Sequence, residues 1–189
     1  LFGRDRETID EAYPGDVVGL VNPGLFTIGD TLTSDPALTF DPIPHFAPEC
    51  FGLLRTQDIS KHKQFQKGLK QLEEEGVMQI FYSPDHVRRE PVLAAVGELQ
   101  FDVVMSRLEN EYGVKASVER LPHALARWIV GDPATISAVY WPSDTIRLVD
   151  QQGRGVMLFT TEHLLAYCIK SNPSIKFLLR EEVEQTSAQ

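Results

Sequence analysis

The stretch Ala94-Ala95-Val96-Gly97-Glu98-Leu99-Gln100-Phe101-Asp102-Val103-Val104 decides the fold. The apolar run 92–96 has the length and composition of a buried strand. Gly97 turns the chain, and beyond it the period changes. Phe101, Val104, Met105, Leu108 and Tyr112 return to one side at about 100° per residue, which predicts a helix over 98–112 stopped by Gly113.

Working outward, the neighbouring segments complete a β-α-β-β-α-β order. Strands are expected at 50–55, 78–83, 92–96 and 115–120. A first helix is expected over 61–75, with Ser60 as its cap and Gly76 in the left-handed position after it. Phe65, Leu69 and Leu72 form its narrow apolar stripe. This order predicts a ferredoxin-like (split βαβ) α/β sandwich, with two helices on one face of an antiparallel sheet. Gly68 sits mid-helix at about 1 kcal/mol against Ala, which a close approach of another backbone would explain.

Residues 121–189 repeat the order more loosely. Strands are expected at 126–130, 145–149, 155–160 and 175–179, with helices at 133–138 and 162–171 and a polar tail from 181 that frays. Residues 1–47 read differently. Short apolar bursts alternate with the turns Pro14-Gly15-Asp16, Asn22-Pro23-Gly24 and Gly29-Asp30, the pattern of closing β-barrel strands, and prolines 42, 44 and 48 make 41–48 a stiff linker. The fold class is therefore α+β: a partial β-barrel segment (1–47), a ferredoxin-like domain (48–120) and a C-terminal α/β unit (121–189).

Composition excludes several classes. With 42% apolar residues the chain is globular, and no apolar run approaches the ~20 residues of a membrane span. The opening Leu1-Phe2-Gly3-Arg4 reads as an internal fragment. The net charge of −9 is uneven: −6 over 1–47, −2 over 48–120 and −1 over 121–189, so the whole chain is no general polyanion binder. Cys50 and Cys168 read as isolated thiols, and the five histidines show no pair at metal spacing.

No catalytic, cofactor-binding or metal residue is assigned. Gly24-Leu25-Phe26-Thr27-Ile28-Gly29-Asp30-Thr31 imitates a phosphate loop, but Asp30 stands where the loop needs Lys and would repel phosphate. Asp16-Val17-Val18-Gly19 and Asp150-Gln151-Gln152-Gly153 read as turns. The run Glu73-Glu74-Glu75 at a helix end reads as solvated.

Lys63, Lys67 and Lys70 fall within about 60° of one another, directly opposite the apolar stripe of the first helix. Their order opposes the helix dipole, with Lys61 and Lys63 at the positive end and Glu73 to Glu75 at the negative end. Two readings stand: an ordinary solvated face, or a face that contacts RNA phosphates. Arg88 and Arg89, before the third strand, form a second small basic site with the same two readings. An RNA-recognition module shares the element order, but its third strand needs aromatic and basic residues, and Val92-Leu93-Ala94-Ala95-Val96 has neither.

These motifs also carry a resemblance. Val96-Gly97-Glu98-Leu99-Gln100-Phe101-Asp102-Val103-Val104 resembles the Gly-Glu-Leu-His-Leu-Glu signature in the third domain of elongation factor G and its relatives, the translational GTPases. Ala12 to Leu20 and Ile28 to Leu32 resemble the end of that family's second-domain barrel. Phe46-Ala47-Pro48-Glu49, the segment 67–76, Arg107-Leu108-x-x-Glu111-Tyr112 and Ala126-Arg127-Trp128 extend the likeness. Gln-Phe-Asp in place of His-Leu-Glu is closer to the bacterial peptide chain release factor 3 branch. The resemblance implies a cytoplasmic GTPase that stimulates translation termination by promoting GTP-dependent release of class-one release factors from the ribosome. Ribosomal RNA and proteins would be its partners, with no DNA and no membrane. GTP or GDP with magnesium would sit in an N-terminal domain that this chain lacks, leaving the chain itself non-catalytic. A second reading, from the residues alone, is a free-standing regulatory module of ferredoxin-like type that binds a small molecule.

Overall fold

The computed structural model describes residues 8–21, 25–26, 28–40, 46–84 and 90–187; within these, side chains are described except those of 59 and 184–187. The first unit runs β1 (Cys50–Thr56), α1 (His62–Glu74), β2 (Gln79–Phe81), β3 (Val92–Ala95), α2 (Leu99–Tyr112) and β4 (Ala116–Leu121). Its sheet has the order β2-β3-β1-β4, and all three pairings are antiparallel. The second unit runs β5 (Leu125–Val130), α3 (Pro133–Ala138), β6 (Thr145–Val149), β7 (Gly155–Phe159), α4 (Glu162–Ser171) and β8 (Lys176–Leu178), in the sheet order β6-β7-β5-β8. The second unit thus repeats the strand order of the first.

Layering follows from period-two burial. Along β3, Leu93 and Ala95 point into a core with Phe65, Leu69, Leu72, Phe101, Val104 and Leu108 of the helices. Val92 and Ala94 point the other way, into a core shared with Trp128, Leu148, Val156 and Leu158 of the second sheet. Along β7, Val156 and Leu158 face that same central core, while Met157 and Phe159 face α3 and α4. A strand buried on both faces has no place for a polar residue, which is why β3 and β7 are unbroken apolar runs. The order is helices, sheet, sheet, helices, and the two sheets pack face to face. Phe81 and Trp128 meet edge to face across the central core, with centroids 5.7 Å apart. At one edge Tyr82 and Val149 exchange two backbone hydrogen bonds of 2.8 Å and link the sheets.

Three expectations need correcting. Among the described residues of 1–47 no strand forms. The segment holds turns, such as Tyr13–Asp16 with a 2.9 Å backbone bond and the Ile28–Gly29 turn with Gly29 at φ +98°, and exposes Val17, Leu20, Val21 and Phe40. A barrel strand exists only through ladder bonds to neighbours, and among the described residues no strand lies beside this segment, so the expected barrel strands are not formed there. Linker residues 41–45 lie outside the described residues. The tail does not fray over 180–187. It forms α5 (Arg180–Ser187), entered by a 2.6 Å bond from the Leu179 N–H to the Glu182 carboxylate and seated by Val183, which is 5% exposed in the central core.

The third correction concerns the start of α1. Ser60 is not its cap. A single 3-10 turn, Ile59–Lys61, precedes the helix, and Lys61 occupies the cap position without a side-chain bond to the helix's own N–H groups. Asp58 instead accepts from the Ser60 N–H at 2.9 Å and its hydroxyl at 2.6 Å. Gly76 and Gly113 do take the left-handed conformation, at φ +67° and +65°.

Candidate functional site

Helix α1 presents two different faces. Phe65, Gly68, Leu69 and Leu72 are buried, and Lys63, Lys67 and Lys70 are exposed. No acidic residue lies in the first turn of α1 and no basic residue in its last, so its charges do not serve its dipole. Lys61 leaves the group: its ammonium donates to the Gly113 carbonyl at 2.6 Å and satisfies the end of α2. Lys70 pairs loosely with Glu74, at 3.5 Å and with both side chains well exposed. Lys63 and Lys67 have no ion pair among the described residues. Arg88 and Arg89 lie outside the described residues. The helix-free face of the first sheet is occupied by the second sheet, so it is closed to ligands.

The signature segments meet one another. Gln100 replaces the first sheet's missing ladder at the strand–helix junction: its side-chain carbonyl accepts from the Val96 N–H at 2.7 Å and the Gly97 N–H at 3.4 Å, and its amide donates to the Val77 carbonyl at 3.2 Å. Arg107 grips Glu111 through two bonds of 2.7 and 2.9 Å and reaches Glu75, the residue just after α1, at 2.6 Å. The Glu75 and Glu111 carboxyls are held below their ordinary range mainly by these bonds. The Tyr112 hydroxyl donates to Gln71 at 2.7 Å. Gly68 lies under α2, where an added Cβ would stand 2.8 Å from Leu108 and 3.0 Å from the Tyr112 ring. The close approach is by side chains, not backbone. These residues fix two helices on one sheet.

A cleft opens where the end of α1, β2 and the β6–β7 turn meet, with a volume of about 510 Å3. It overturns the reading of Glu73 as solvated. Burial pushes the Glu73 carboxyl up to about 7, against the Ile80 N–H and the Arg180 charge, with Asp150 and Glu74 adding to the rise. Its Oε2 is buried without a hydrogen-bond donor, as is Gln79 Oε1. Glu73 follows Leu69 by four residues and so shares the inward side of α1, a periodicity that could have exposed it in the sequence. Asp150, 8% exposed, accepts from the Trp128 indole at 2.8 Å and the Arg154 guanidinium at 2.6 Å, and from the N–H groups of Gln152 and Arg154. Asp150-Gln151-Gln152-Gly153 is the expected turn, with Gly153 at φ +78°.

Among the described residues no three His, Cys, Asp or Glu side chains gather as a metal site. Both cysteines are free; Cys168 is buried, and burial pushes its thiol up. No helix of the described residues is long and apolar enough to cross a membrane.

Comparison with known proteins supplies a further finding. Residues 40–169 match the profile of Class II release factor RF3, C-terminal domain, and residues 1–35 that of Elongation factor G domain 2. The chain is 48% identical over 176 residues to Peptide chain release factor 3 of Nostoc punctiforme, an alignment covering 93% of this chain and 32% of the relative. For the protein of that name in Gloeobacter violaceus the identity is 48% over 178 residues, covering 94% and 34%. For Acaryochloris marina it is 46% over 176 residues, covering 93% and 32%. The chain thus spans about a third of the length of the curated relatives it matches.

Proposed function

The chain belongs to the Class II release factor RF3 C-terminal domain family, and from that premise we propose that it is the ribosome-binding part of a GTPase that stimulates translation termination. In this reading the whole protein works in the cytoplasm and promotes GTP-dependent release of class-one release factors from the ribosome. GTP or GDP with magnesium belongs to an N-terminal domain outside this chain. The phosphate-loop-like segment supports that placement: Asp30 takes the lysine position of a phosphate loop, Gly29 lies in a turn, and no helix follows among the described residues 28–40.

The organisation we propose keeps 1–47 as second-domain sequence plus linker, 48–120 as a ferredoxin-like domain similar to the third domain of elongation factor G, and 121–189 as a C-terminal unit particular to release factors. The β-α-β-β-α-β order with strand order β2-β3-β1-β4 supports the middle assignment. The shared central core supports treating 48–187 as one stiff body. Such a body passes the nucleotide state to the ribosome by rotation about 41–48. Cross-links across 41–48 that form equally in the GTP and GDP states would sink that mechanism.

The observation that carries the ribosomal contact is the outward face of α1, with Lys63 and Lys67 exposed and lacking ion pairs among the described residues. Phosphate contacts of this kind are salt-dependent and independent of base identity. Ribosome co-sedimentation of the whole protein tests it. Lys63→Glu with Lys67→Glu is expected to weaken binding about tenfold or more in low salt, with unchanged circular dichroism. Unchanged low-salt binding would leave a merely solvated face.

A further inference from the structure

The two sheets meet edge to edge where Tyr82 and Val149 exchange their backbone bonds. Beside this seam lies a second cavity of about 620 Å3, bounded by His62 and Gln66 of α1, by 82–84 after β2, and by Val149 and Gly153. Period two decides which side chains of β6 reach it. Ile146 and Leu148 pack in the central core, so Thr145, Arg147 and Val149 point to the outer side. Arg147 is therefore the next outward residue from Val149, about 7 Å along the strand.

Both banks of this groove carry positive charge. On α1, Lys63 and Lys70 stand within about 60° of Gln66 around the helix axis. On β6, Arg147 is exposed and, like Lys63 and Lys67, has no ion pair among the described residues. Arg127 occupies the same cross-strand row, with Met157 between it and Arg147. The nearby carboxylates do not neutralise this surface. Glu73 and Asp150 line the other cleft, Asp150 is tied to Trp128 and Arg154, and Glu74 meets only Lys70. In a chain of net charge −9, unpaired cations gathered on one outward surface favour a polyanion there. The cavity between the banks adds what a row of phosphates alone would leave unfilled: two rings, His62 and Tyr82, and the Gln66 amide with its donors and acceptor. Unstacked bases of a single strand use such groups, whereas a duplex keeps its bases stacked inside. We infer that this groove binds a single-stranded stretch of RNA, with phosphates held by Lys63 and Lys67 on one bank and Arg147 on the other, and a base over the cavity. The inference rests on the RNA contact proposed for α1 and carries it across the seam into the second unit.

Fluorescence anisotropy of the full chain with a labelled oligouridine of about 12 nucleotides tests the groove. Arg147→Glu is expected to weaken binding about tenfold at low salt, as is Lys63→Glu. Arg147→Gln is expected to reduce the salt slope by about 0.7, the loss of one single-strand phosphate contact. Gln66→Trp fills the cavity without changing charge and is expected to weaken binding about threefold or more. Lys115→Glu makes the same charge change beside β4, at the opposite edge of the first sheet, where Lys115 has only a loose 3.7 Å pair with Glu109; affinity is expected to stay within about twofold. No binding at about 1 mM protein, an equal loss in Lys115→Glu, tighter binding of the matching duplex, or unchanged affinity in Arg147→Glu and Gln66→Trp overturns the groove. Failure of the groove and failure of the ribosomal reading are separable. If Arg147→Glu has no effect while Lys63→Glu with Lys67→Glu still lowers ribosome co-sedimentation, the groove falls and the α1 contact stands. If co-sedimentation is unchanged while oligouridine binding needs Arg147, the ribosomal reading falls and the groove stands. Should Arg147→Glu fail to fold by circular dichroism, Arg147→Gln and Gln66→Trp decide the matter.

Discussion

Replacing Glu73 by Gln is expected to stabilise the protein at alkaline pH and leave it nearly unchanged at acid pH. Burial, with Asp150 and Glu74 nearby, raises the carboxyl from its ordinary 4.5 to about 7, while the Ile80 N–H and Arg180 oppose the rise. The folded protein therefore holds this proton more tightly than the unfolded chain does. The corresponding stability is complete below about pH 4.5 and is lost as pH rises through about 7. At about 1.4 kcal/mol per tenfold change in equilibrium, the full displacement would amount to about 3 kcal/mol. Glu73 is only half-buried, so solvent screens part of this and about 1–2 kcal/mol is expected. A glutamine cannot ionise and escapes the loss. Urea denaturation of both proteins at pH 5 and pH 8, followed by circular dichroism, reads the difference. Equal stabilities at both pH values would refute the burial argument. A variant less stable at pH 8 would show instead that the ionised carboxylate has a strong partner.

Two further substitutions probe the packing that presents these surfaces. Gly68→Ala normally favours a helix by about 1 kcal/mol, but here the methyl meets Leu108 and Tyr112 at 2.8 and 3.0 Å, so a net loss of about 1 kcal/mol is expected in thermal denaturation; a rise in Tm would show that α2 yields freely. Trp128→Phe removes the 2.8 Å bond to Asp150 while Arg154 stays at 2.6 Å, and a destabilisation of about 1–2 kcal/mol is expected from chemical denaturation, with no effect refuting the importance of that buried pair.

What the sequence determined by itself is local. Periodicity places α3, β6 and α4 with the ends they have in the structure, and most other strands and helices to within a residue or two, because turn glycines and apolar spacing act over a few neighbours. The segments quoted as family signatures were legible as motifs, and their partners across space were not: Arg107 and Glu75 are 32 residues apart, and Gln71 and Tyr112 are 41 apart. Three features belong to tertiary structure alone. The face-to-face packing of the two sheets buries β3 and β7 on both sides. The docking of Val183 orders a tail whose composition reads as frayed. The cleft takes Glu73 out of a charge run that looks solvated. Each depends on which surfaces meet, and burial of an atom is a property of its neighbours in space, which a chain's own order does not list.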